Sequence, residues 1–347
     1  MFIEAPRPTP SPEPEKINGN FKGQDILSMD RFDTYSLDVL FDVTKDMREI
    51  AVNAEPCDIL KGKQAVLLFY EPSSRTRGSF DAAMKQLGGQ TIVVEDPQHF
   101  SSVAKGETFE DTIRTFEAYS DLIVLRHPIT GSLQKAADIA TRVPVINAGD
   151  GGQGEHPTQA LLDLYTIKEQ HGRLDNLTGV IAGDLLFGRT VKSLIRGLSL
   201  YPGNTLHLLS PDELRLPRKD FEEFVRRGVR MIEISDPKDI PSNASFWYWT
   251  RIQKERRVKN GLTVIRNLAK MFGIKQDMKN PFIVDKKLLD ELGGVNTILM
   301  HPLPRVGEIL EEVDEDPRAV YLKSQIRNGM YVRMALLGLV LGKIDKD

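Results

Sequence analysis

Apolar and polar positions are arranged in blocks along this chain, with short apolar runs separated by longer segments of helical periodicity. Short apolar runs flanked by helical segments are typical of buried parallel strands. The first series of predicted strands comprises residues 65–70, 91–95, 122–125 and 143–148. After a helical stretch at 158–170, the second series comprises residues 178–183, 205–210, 230–234, 245–249 and 296–300. The last apolar segment, 328–343, has helical periodicity.

This order of elements predicts an α/β protein with two three-layer α/β domains, each built on a central parallel sheet. We expect helices to link the domains, and the C-terminal helix to return to the first domain. The predicted first domain therefore comprises residues 21–157 plus 325–347, and the second comprises 158–324. A chain of 347 residues is long enough for two domains.

The N-terminal segment, residues 1–20, is expected to be a disordered tail. Residues 1–16 mix proline with glutamate, so they can neither form a helix nor bury much apolar surface. They have neither the basic start and apolar stretch of a signal peptide nor the acid-poor composition of a transit peptide. We therefore expect a cytoplasmic protein.

Composition limits the class of partner. The chain has 40% hydrophobic and 27% charged residues and a net charge of −3. It lacks an electrostatic footprint for nucleic acid, and no apolar run is long enough to cross a membrane. A single cysteine, Cys57, excludes an internal disulfide and a cysteine-based zinc cluster. Small soluble molecules are the expected partners, and no metal site is predicted.

The first candidate site is the segment Glu-Pro-Ser-Ser-Arg-Thr-Arg at 71–77, directly after the first predicted strand. A helix is expected to start near Thr76. Hydroxyls, free backbone N–H groups and the positive end of the helix dipole converge at such a start. Arginine adds a planar fork that matches phosphate oxygens, and open α/β sheets bind ligands at the carboxyl ends of strands. The segment predicts an anion site; the alternative is an ordinary capped helix with surface arginines.

The sequence here resembles the aspartate and ornithine carbamoyltransferase family, whose carbamoyl phosphate motif S-x-R-T-R is similar to residues 73–77. Other segments that resemble family motifs follow in the family's order over nearly the whole chain. They are SSVAKGET at 101–108, RHP at 126–128, HPTQ at 156–159, GDLLFGRTV at 183–191, TRIQKER at 250–256 and HPLPR at 301–305. The resemblance implies a carbamoyltransferase without metal or organic cofactor, with a carbamoyl phosphate-binding first domain and an acceptor-binding second domain.

Two segments favour aspartate as the acceptor. KGET at 105–108 and HPLP at 301–304 resemble the aspartate members, whereas the ornithine members carry H-C-L-P. A dicarboxylate also needs several cationic or donor groups, whereas a cationic acceptor needs an acidic one. The implied reaction gives N-carbamoyl-L-aspartate and phosphate, the committed step of de novo pyrimidine biosynthesis. The alternative is a carbamoyltransferase for another amino acid.

The resemblance also implies residue roles. The residues similar to the carbamoyl phosphate site are Ser73, Ser74, Arg75, Thr76, Arg126, His156, Gln159, Leu303 and Pro304, and those similar to the aspartate site are Lys105, Arg189, Arg251 and Gln253. The groups expected to act in catalysis are Arg75, Thr76, Arg126 and His156. Negative charge grows on the carbamoyl oxygen as the amine adds, so donors fixed around it stabilise the transition state. Gln159 is expected to accept a hydrogen bond from the carbamoyl NH2.

The loop at 100–108 resembles the family loop that enters the active site of a neighbouring subunit. Ser101 and Lys105 are then expected to complete the neighbour's site, which implies a cyclic homotrimer. The alternative is a surface lid that acts within its own chain. The sequence leaves open whether a regulatory chain or a multienzyme partner binds.

Two rival functions are disfavoured. Residues 149–154, Gly-Asp-Gly-Gly-Gln-Gly, match G-x-G-x-x-G after a strand and suggest an NAD-dependent oxidoreductase. His156 and Pro157, however, stand where the helix would receive the pyrophosphate, and no acidic residue ends a second strand about 20 residues on. A phosphate-binding P-loop is also absent from the sequence. A catalytically inactive homologue is disfavoured because each expected chemical position is filled.

Two segments depart from the family pattern. Lys192 replaces a common histidine in G-R-T-V-x-S-L; we expect it to be peripheral, and the alternative is that it alters the electrostatic field near Arg189. The stretch 257–280 is longer than the usual family loop and rich in lysine and arginine. Domain closure and aspartate affinity are the properties that these departures are expected to affect.

Overall fold

The structure of the chain is a computed structural model that describes residues 15–54, 57–152, 154–252 and 282–345. It contains two parallel sheets, which confirms the predicted fold class. The first sheet has the order β2-β1-β3-β4, with β1 at Gln64–Phe69, β2 at Gln90–Glu95, β3 at Leu122–His127 and β4 at Val145–Asp150. The second has the order β7-β6-β5-β8-β9, with β5 at Thr178–Ala182, β6 at Thr205–Leu209, β7 at Arg230–Ile234, β8 at Phe246–Trp249 and β9 at Ile298–Met300.

Helices follow most strands, as the alternating pattern requires. In the first half they are α1 at Thr34–Asn53, α2 at Ser74–Gln86, α3 at Pro97–Phe100, α4 at Phe109–Tyr119 and α5 at Ser132–Ile139. They continue with α6 at Pro157–His171, α7 at Arg189–Leu198, α8 at Arg218–Arg226, α9 at Lys286–Leu292 and α10 at Ser324–Val340. Within the described ranges, no helix is both long and apolar enough to span a bilayer.

Both sheets are covered on both faces, which explains the continuous apolar runs of their central strands. Along β1, Leu67 and Phe69 pack into one hydrophobic cluster, whereas Val66 and Leu68 pack into another on the opposite face. Successive side chains of a strand point to opposite faces, so each sheet is the middle of three layers. The cluster that contains Leu67 also contains residues of the second sheet, so the two halves share one core.

The C-terminal helix joins the halves. α10 packs against α1, α2 and α6, as expected for a segment that returns to the first half. Its residues from Tyr331 to Val340 are almost all buried. The apolar run at 328–343 therefore predicts the helix and its burial, although the helix begins four residues earlier.

The expected N-terminal tail is wrong in its last part. Ile17 is only 2% exposed and belongs to the shared core, and its N–H donates to the Arg31 carbonyl at 2.8 Å. Phe21 is buried in the same cluster. These two apolar side chains hold the segment because they bury surface that the proline-rich stretch before them does not offer. Residues 1–14 lie outside the described part of the chain.

Candidate active site

The carboxyl end of β1 leads into the candidate anion site. Helix α2 begins at Ser74, two residues before the expected start, with Ser73 at its N-cap. The Ser73 side chain makes no capping hydrogen bond to the helix, so its hydroxyl is not used to close the helix end. Thr76 is buried within the first turn. The first turn thus presents hydroxyls and backbone N–H groups at the positive end of a helix dipole.

Two arginines of this region meet one carboxylate. Arg126, on β3, donates from Nη2 to Oε2 of Glu71 at 2.5 Å. Arg189, at the start of α7 in the second half, donates from Nη2 to the same oxygen at 3.0 Å. Burial and the neighbouring Arg126 charge lower the pKa of Arg189 to about 10, and Glu71 opposes this shift. Arg189 therefore stays charged at neutral pH, in a site that holds more positive than negative charge.

The glycine-rich loop after β4 gives these arginines room. Gly149 has φ of +132°, and a Cβ there would lie 2.9 Å from Nη1 of Arg126 and 3.2 Å from Cζ of Arg189. The Gly151 carbonyl accepts a hydrogen bond from Nη1 of Arg189 at 2.7 Å. Gly149 thus leaves space for the guanidinium groups of Arg126 and Arg189, and Gly151 binds that of Arg189 through its carbonyl. This gives the motif a use other than dinucleotide binding, the function that the sequence already disfavours.

His156 and Gln159 lie at the start of α6, which Pro157 opens as its first residue. His156 is 4% exposed, and its backbone N–H donates to Oγ of Ser193 at 3.0 Å. Gln159 lies one turn along the helix and donates from Nε2 to Oδ1 of Asp163 at 3.0 Å. The His156 backbone is thus tied to α7, and the Gln159 side chain is held within α6.

The second half contributes the opposite wall. Arg251 follows β8 and lines the same pocket as Arg75. Burial and, after it, the Arg251 charge lower the pKa of Arg75. Two guanidinium groups that repel each other across a gap create a strong site for an anion.

The loop after β9 carries Leu303 and Pro304. Nδ1 of His301 accepts from the Leu303 N–H at 2.7 Å, and Nε2 of the same ring lies 2.7 Å from Oε1 of Glu308. Burial lowers the pKa of His301, against the effect of Glu308. A ring that accepts at Nδ1 must carry its proton at Nε2 when neutral, so Nε2 donates to Glu308. Leu303 has φ of +56°, a left-handed conformation that this bracing by His301 supports.

A cavity of about 680 Å³ gathers these groups between the carboxyl ends of the two sheets. The predicted site residues that line it are Ser73, Ser74, Arg75, Thr76, Arg126, His156, Gln159, Arg189, Arg251, Leu303 and Pro304. Ser101 and Lys105 do not line it; they lie on the loop after α3, where Lys105 is exposed. Gln253 lies outside the described residues, as does the stretch 257–280.

Several residues that line or support the cavity had no predicted role. Glu71 stands directly before the phosphate motif, and its acidic charge within a cationic segment was a usable signal. Asp163 follows Gln159 by four residues, which places both on one face of α6. Arg333 lines the cavity and is 3% exposed; a single arginine inside the apolar run of α10 was the signal there.

Lys192 forms an ion pair rather than adding a free charge to the site. Its Nζ lies 2.7 Å from Oδ2 of Asp220 on α8, and both side chains are largely buried. The pair is neutral overall, so its effect on the field near Arg189 is reduced.

Two family models cover most of the chain. The model described as "Aspartate/ornithine carbamoyltransferase, carbamoyl-P binding domain" matches residues 24–169. The model described as "Aspartate/ornithine carbamoyltransferase, Asp/Orn binding domain" matches residues 175–340.

Individual proteins are similar along nearly the whole chain. The chain is 44% identical over 326 residues to the chloroplastic aspartate carbamoyltransferase of Arabidopsis thaliana, covering 92% of this chain and 78% of that protein. It is 44% identical over 323 residues to the multifunctional protein CAD of Squalus acanthias, covering 93% of this chain and 14% of that protein. Among solved structures, aspartate transcarbamoylase from Trypanosoma cruzi in complex with carbamoyl phosphate and aspartate matches with a TM-score of 0.84 and 36% identity, covering 93% of this chain and 98% of that one.

Proposed function

Because the chain belongs to the aspartate/ornithine carbamoyltransferase family, we propose that it transfers the carbamoyl group of carbamoyl phosphate to the amino group of L-aspartate. The products are N-carbamoyl-L-aspartate and phosphate, a committed step of pyrimidine biosynthesis. One observation carries the proposal: the four predicted arginines, Arg75, Arg126, Arg189 and Arg251, line a single cavity of about 680 Å³ together with His156. A phosphate and a dicarboxylate together need that excess of positive charge.

The two substrates divide the cavity between its walls. The phosphate lies at the first turn of α2, against Ser73, Ser74, Arg75 and Thr76. Aspartate lies toward Arg189 and Arg251, on the side of the second half. Because Glu71 pairs with both Arg126 and Arg189, substrate anions compete with this carboxylate when they bind.

Catalysis rests on positioning and electrostatics. The uncharged amine of aspartate attacks the carbamoyl carbon and forms a C–N bond, and the C–O bond to phosphate then breaks. The amine proton passes to a phosphate oxygen, so no side chain has to act as a nucleophile. Thr76, Arg126 and His156 donate to the carbamoyl oxygen as its negative charge grows, and loss of one such donor costs about 3–4 kcal/mol in the barrier.

The function is tested by colorimetric measurement of N-carbamoyl-L-aspartate from carbamoyl phosphate and L-aspartate, with L-ornithine as the competing acceptor. We expect product with aspartate only, and a loss of about 100-fold or more in kcat for Arg126→Ala. A bisubstrate mimic that joins a phosphonate to aspartate should raise the melting temperature. Product with ornithine instead, or no stabilisation by the mimic, argues against the assignment.

The loop that carries Ser101 and Lys105 supports a further part of the proposal, a cyclic homotrimer with shared sites. Ser101 is held in the loop by its own hydrogen bonds to Pro97 O and Val103 N–H. Lys105 is exposed and lines no part of its own chain's cavity. An exposed cation on a loop of this kind is placed to serve a neighbouring subunit.

Mixing two inactive variants tests this assembly. If Arg75→Ala and Lys105→Ala chains form random trimers, a site is intact when its own Arg75 and its neighbour's Lys105 are both present, which holds for about a quarter of the sites. Activity should therefore recover to about that fraction. Mixing Arg75→Ala with Arg126→Ala is the control, because both residues line the same chain's cavity. No recovery in the first mixture would indicate a lid that acts within its own chain.

A further inference from the structure

Asp163 lies beneath the cavity and receives hydrogen bonds from three separate elements. Its side chain is completely buried on α6. Oδ1 accepts from Nε2 of Gln159 at 3.0 Å and from Nε2 of Gln325 at 2.7 Å, and Oδ2 accepts from the Tyr248 hydroxyl at 2.8 Å. The carboxylate therefore joins the start of α6 to α10 and β8, although it contacts none of the expected substrate atoms.

The orientation of the Gln325 amide is fixed by the backbone. Its Oε1 accepts from the N–H of His301 at 3.0 Å. A backbone N–H can only donate, so the amide oxygen must face it, and the Gln325 NH2 group must face Asp163. The side chain at position 163 must therefore place an acceptor at the Oδ1 position, where it receives the hydrogen bond from Gln325.

This requirement passes to Gln159. Because Gln325 donates to Oδ1, any proton on Asp163 must lie on Oδ2, so Oδ1 accepts in both the ionised and the neutral form. The NH2 group of Gln159 therefore faces Asp163, and its carbonyl oxygen is left as the amide atom for a ligand. Gln159 lines the cavity. In this orientation, a ligand NH2 group finds an acceptor, whereas a ligand methyl group covers the carbonyl oxygen and leaves it without a partner, which is costly.

We propose that Asp163 is a positioning residue that sets the acyl-group specificity of the site, by holding the Gln159 carbonyl toward the transferred group. The proposal rests on the proposed function, because it concerns the acyl end of the same substrate. Asp163 selects a carbamoyl group, with its NH2 donor, against an acetyl group of nearly the same shape. The order of control runs from the His301 backbone through Gln325 and Asp163 to Gln159.

The test compares two stable ligands by calorimetry: phosphonoacetamide, which carries the NH2 group, and acetonylphosphonate, which carries a methyl group in its place. In the unmodified protein we expect phosphonoacetamide to bind about tenfold more tightly or better. The ratio that we follow is the dissociation constant of acetonylphosphonate divided by that of phosphonoacetamide. In Asp163→Ala this ratio should fall severalfold, because the Gln159 amide can then rotate. The affinity for inorganic phosphate, which does not reach Gln159, should change little.

Two further variants separate positioning from simple loss of packing. Asp163→Asn should keep the ratio, because Gln325 forces the asparagine oxygen to the Oδ1 side. Tyr248→Phe removes a bond to Oδ2 but leaves Gln159 held, so it should lower the melting temperature without changing the ratio. An unchanged ratio in Asp163→Ala overturns the proposal.

If Asp163→Ala does not fold, the double variant Asp163→Asn with Gln325→Leu decides. Each single change leaves position 163 an acceptor toward Gln159, whereas together they allow the asparagine NH2 group to face it. The ratio should therefore fall only in the double variant, and an equal ratio in all three proteins contradicts the proposal. Failure of the proposed function is distinct, since it appears as absence of N-carbamoyl-L-aspartate in the unmodified enzyme.

Discussion

Glu71 places one carboxylate oxygen between two guanidinium groups, Arg126 and Arg189, and thereby offsets part of their positive charge. Without it, the two arginines repel each other in a partly desolvated space. An anionic ligand must displace this carboxylate before it gains the full attraction of both arginines. Glu71 thus stabilises the folded chain at a cost to ligand affinity.

Glu71→Gln should therefore lower the melting temperature without ligand and increase the stabilisation that inorganic phosphate gives. A tenfold gain in phosphate affinity corresponds to about 1.4 kcal/mol and to a rise of roughly 2 °C in a protein of this size. Differential scanning fluorimetry with and without phosphate measures both effects. Glu95→Gln is the control, because Glu95 pairs with Arg77 at 3.3 Å, which does not line the cavity. Equal phosphate shifts in both variants contradict the prediction.

Asp163 makes stability depend on pH. Burial raises its pKa to about 7, against the hydrogen bonds of Gln325, Tyr248 and Gln159 and the charge of Arg333. The native state keeps the Asp163 proton up to about pH 7, whereas the unfolded chain releases it near pH 3.8. The free energy of unfolding therefore falls as the pH rises from about 4 to 7. The loss is about 4 kcal/mol at most, from 1.36 kcal/mol for each pKa unit.

Asp163→Asn removes this dependence, because an amide does not titrate. Its advantage over the unmodified protein in urea unfolding should be larger at pH 8 than at pH 5 by about 2–3 kcal/mol. Asp58→Asn, at an exposed carboxylate paired with Lys61, is the control and should show no such change. An equal difference in the free energy of unfolding at pH 5 and pH 8 would contradict the prediction.

The end of β5 approaches the segment after β8 more closely than a side chain allows. Gly183 has φ of +106°, and a Cβ there would lie 2.1 Å from the Thr250 carbonyl oxygen. Thr250 is itself tied to β5, since its N–H and Oγ1 both donate to Ala182 O. The neighbouring Arg251 is therefore positioned by the packing of two strand ends.

Gly183→Ala should push this segment away and weaken aspartate binding together with stability. Gly172 is the matched control, because it also has positive φ, +70°, but nothing within 4 Å of its Cβ position. We expect Gly172→Ala to cost about 1 kcal/mol from backbone strain and Gly183→Ala to cost about 1–3 kcal/mol more. Thermal unfolding and the KM for aspartate measure this, and equal costs with an unchanged KM contradict it.

The elements themselves were readable from local patterns. All nine described strands were predicted to within about two residues, because a parallel strand buried on both faces leaves a continuous apolar run. The aromatic strand at 246–249 follows the same rule, since Phe246 and Tyr248 enter the shared core while Trp247 and Trp249 enter the cluster on the other face. The tail boundary was wrong because Ile17 is an isolated apolar residue, with no periodicity to reveal its burial.

Across the whole molecule, Arg196 connects the halves through charge. Its guanidinium group on α7 lies 2.9 Å from Glu155, 3.4 Å from Asp30 and 2.9 Å from Glu223. Burial opposes its charge, but these carboxylates together raise the pKa of Arg196. Glu155 directly precedes His156 and also accepts from the Met29 N–H at 3.0 Å. The network therefore fixes the position of the residue that comes just before the start of α6.

Arg196→Met should leave three carboxylates without their common partner and cost about 3–5 kcal/mol, as loss of one member of a buried ion pair does. The exposed ion pair of Lys45 with Asp42 offers the control, because Lys45→Met should change stability little. Chemical denaturation of both variants measures the difference. Similar small losses in both would mean that the network contributes no more than a surface pair.

The site was predictable only where motifs carried it. The resemblance identified eleven residues that the structure brings to one cavity, from segments as far apart as 73–76 and 303–304. The contacts of Glu71 with Arg189 and of Asp163 with Gln325 were not predicted, because they join residues 118 and 162 positions apart. Such pairs follow from how the two halves pack, and no local pattern encodes them. The domain limits and the cytoplasmic location stay predictions.

The core that both halves share has a mechanical consequence. Leu67 of the first sheet and Phe246 of the second belong to one cluster, which α6, α7 and α10 help to form. A large hinge rotation of one half relative to the other would separate the residues of this cluster and expose apolar surface to water. We therefore expect the cavity to tighten around its ligands by shear, with packed helices sliding past one another by about 1–2 Å.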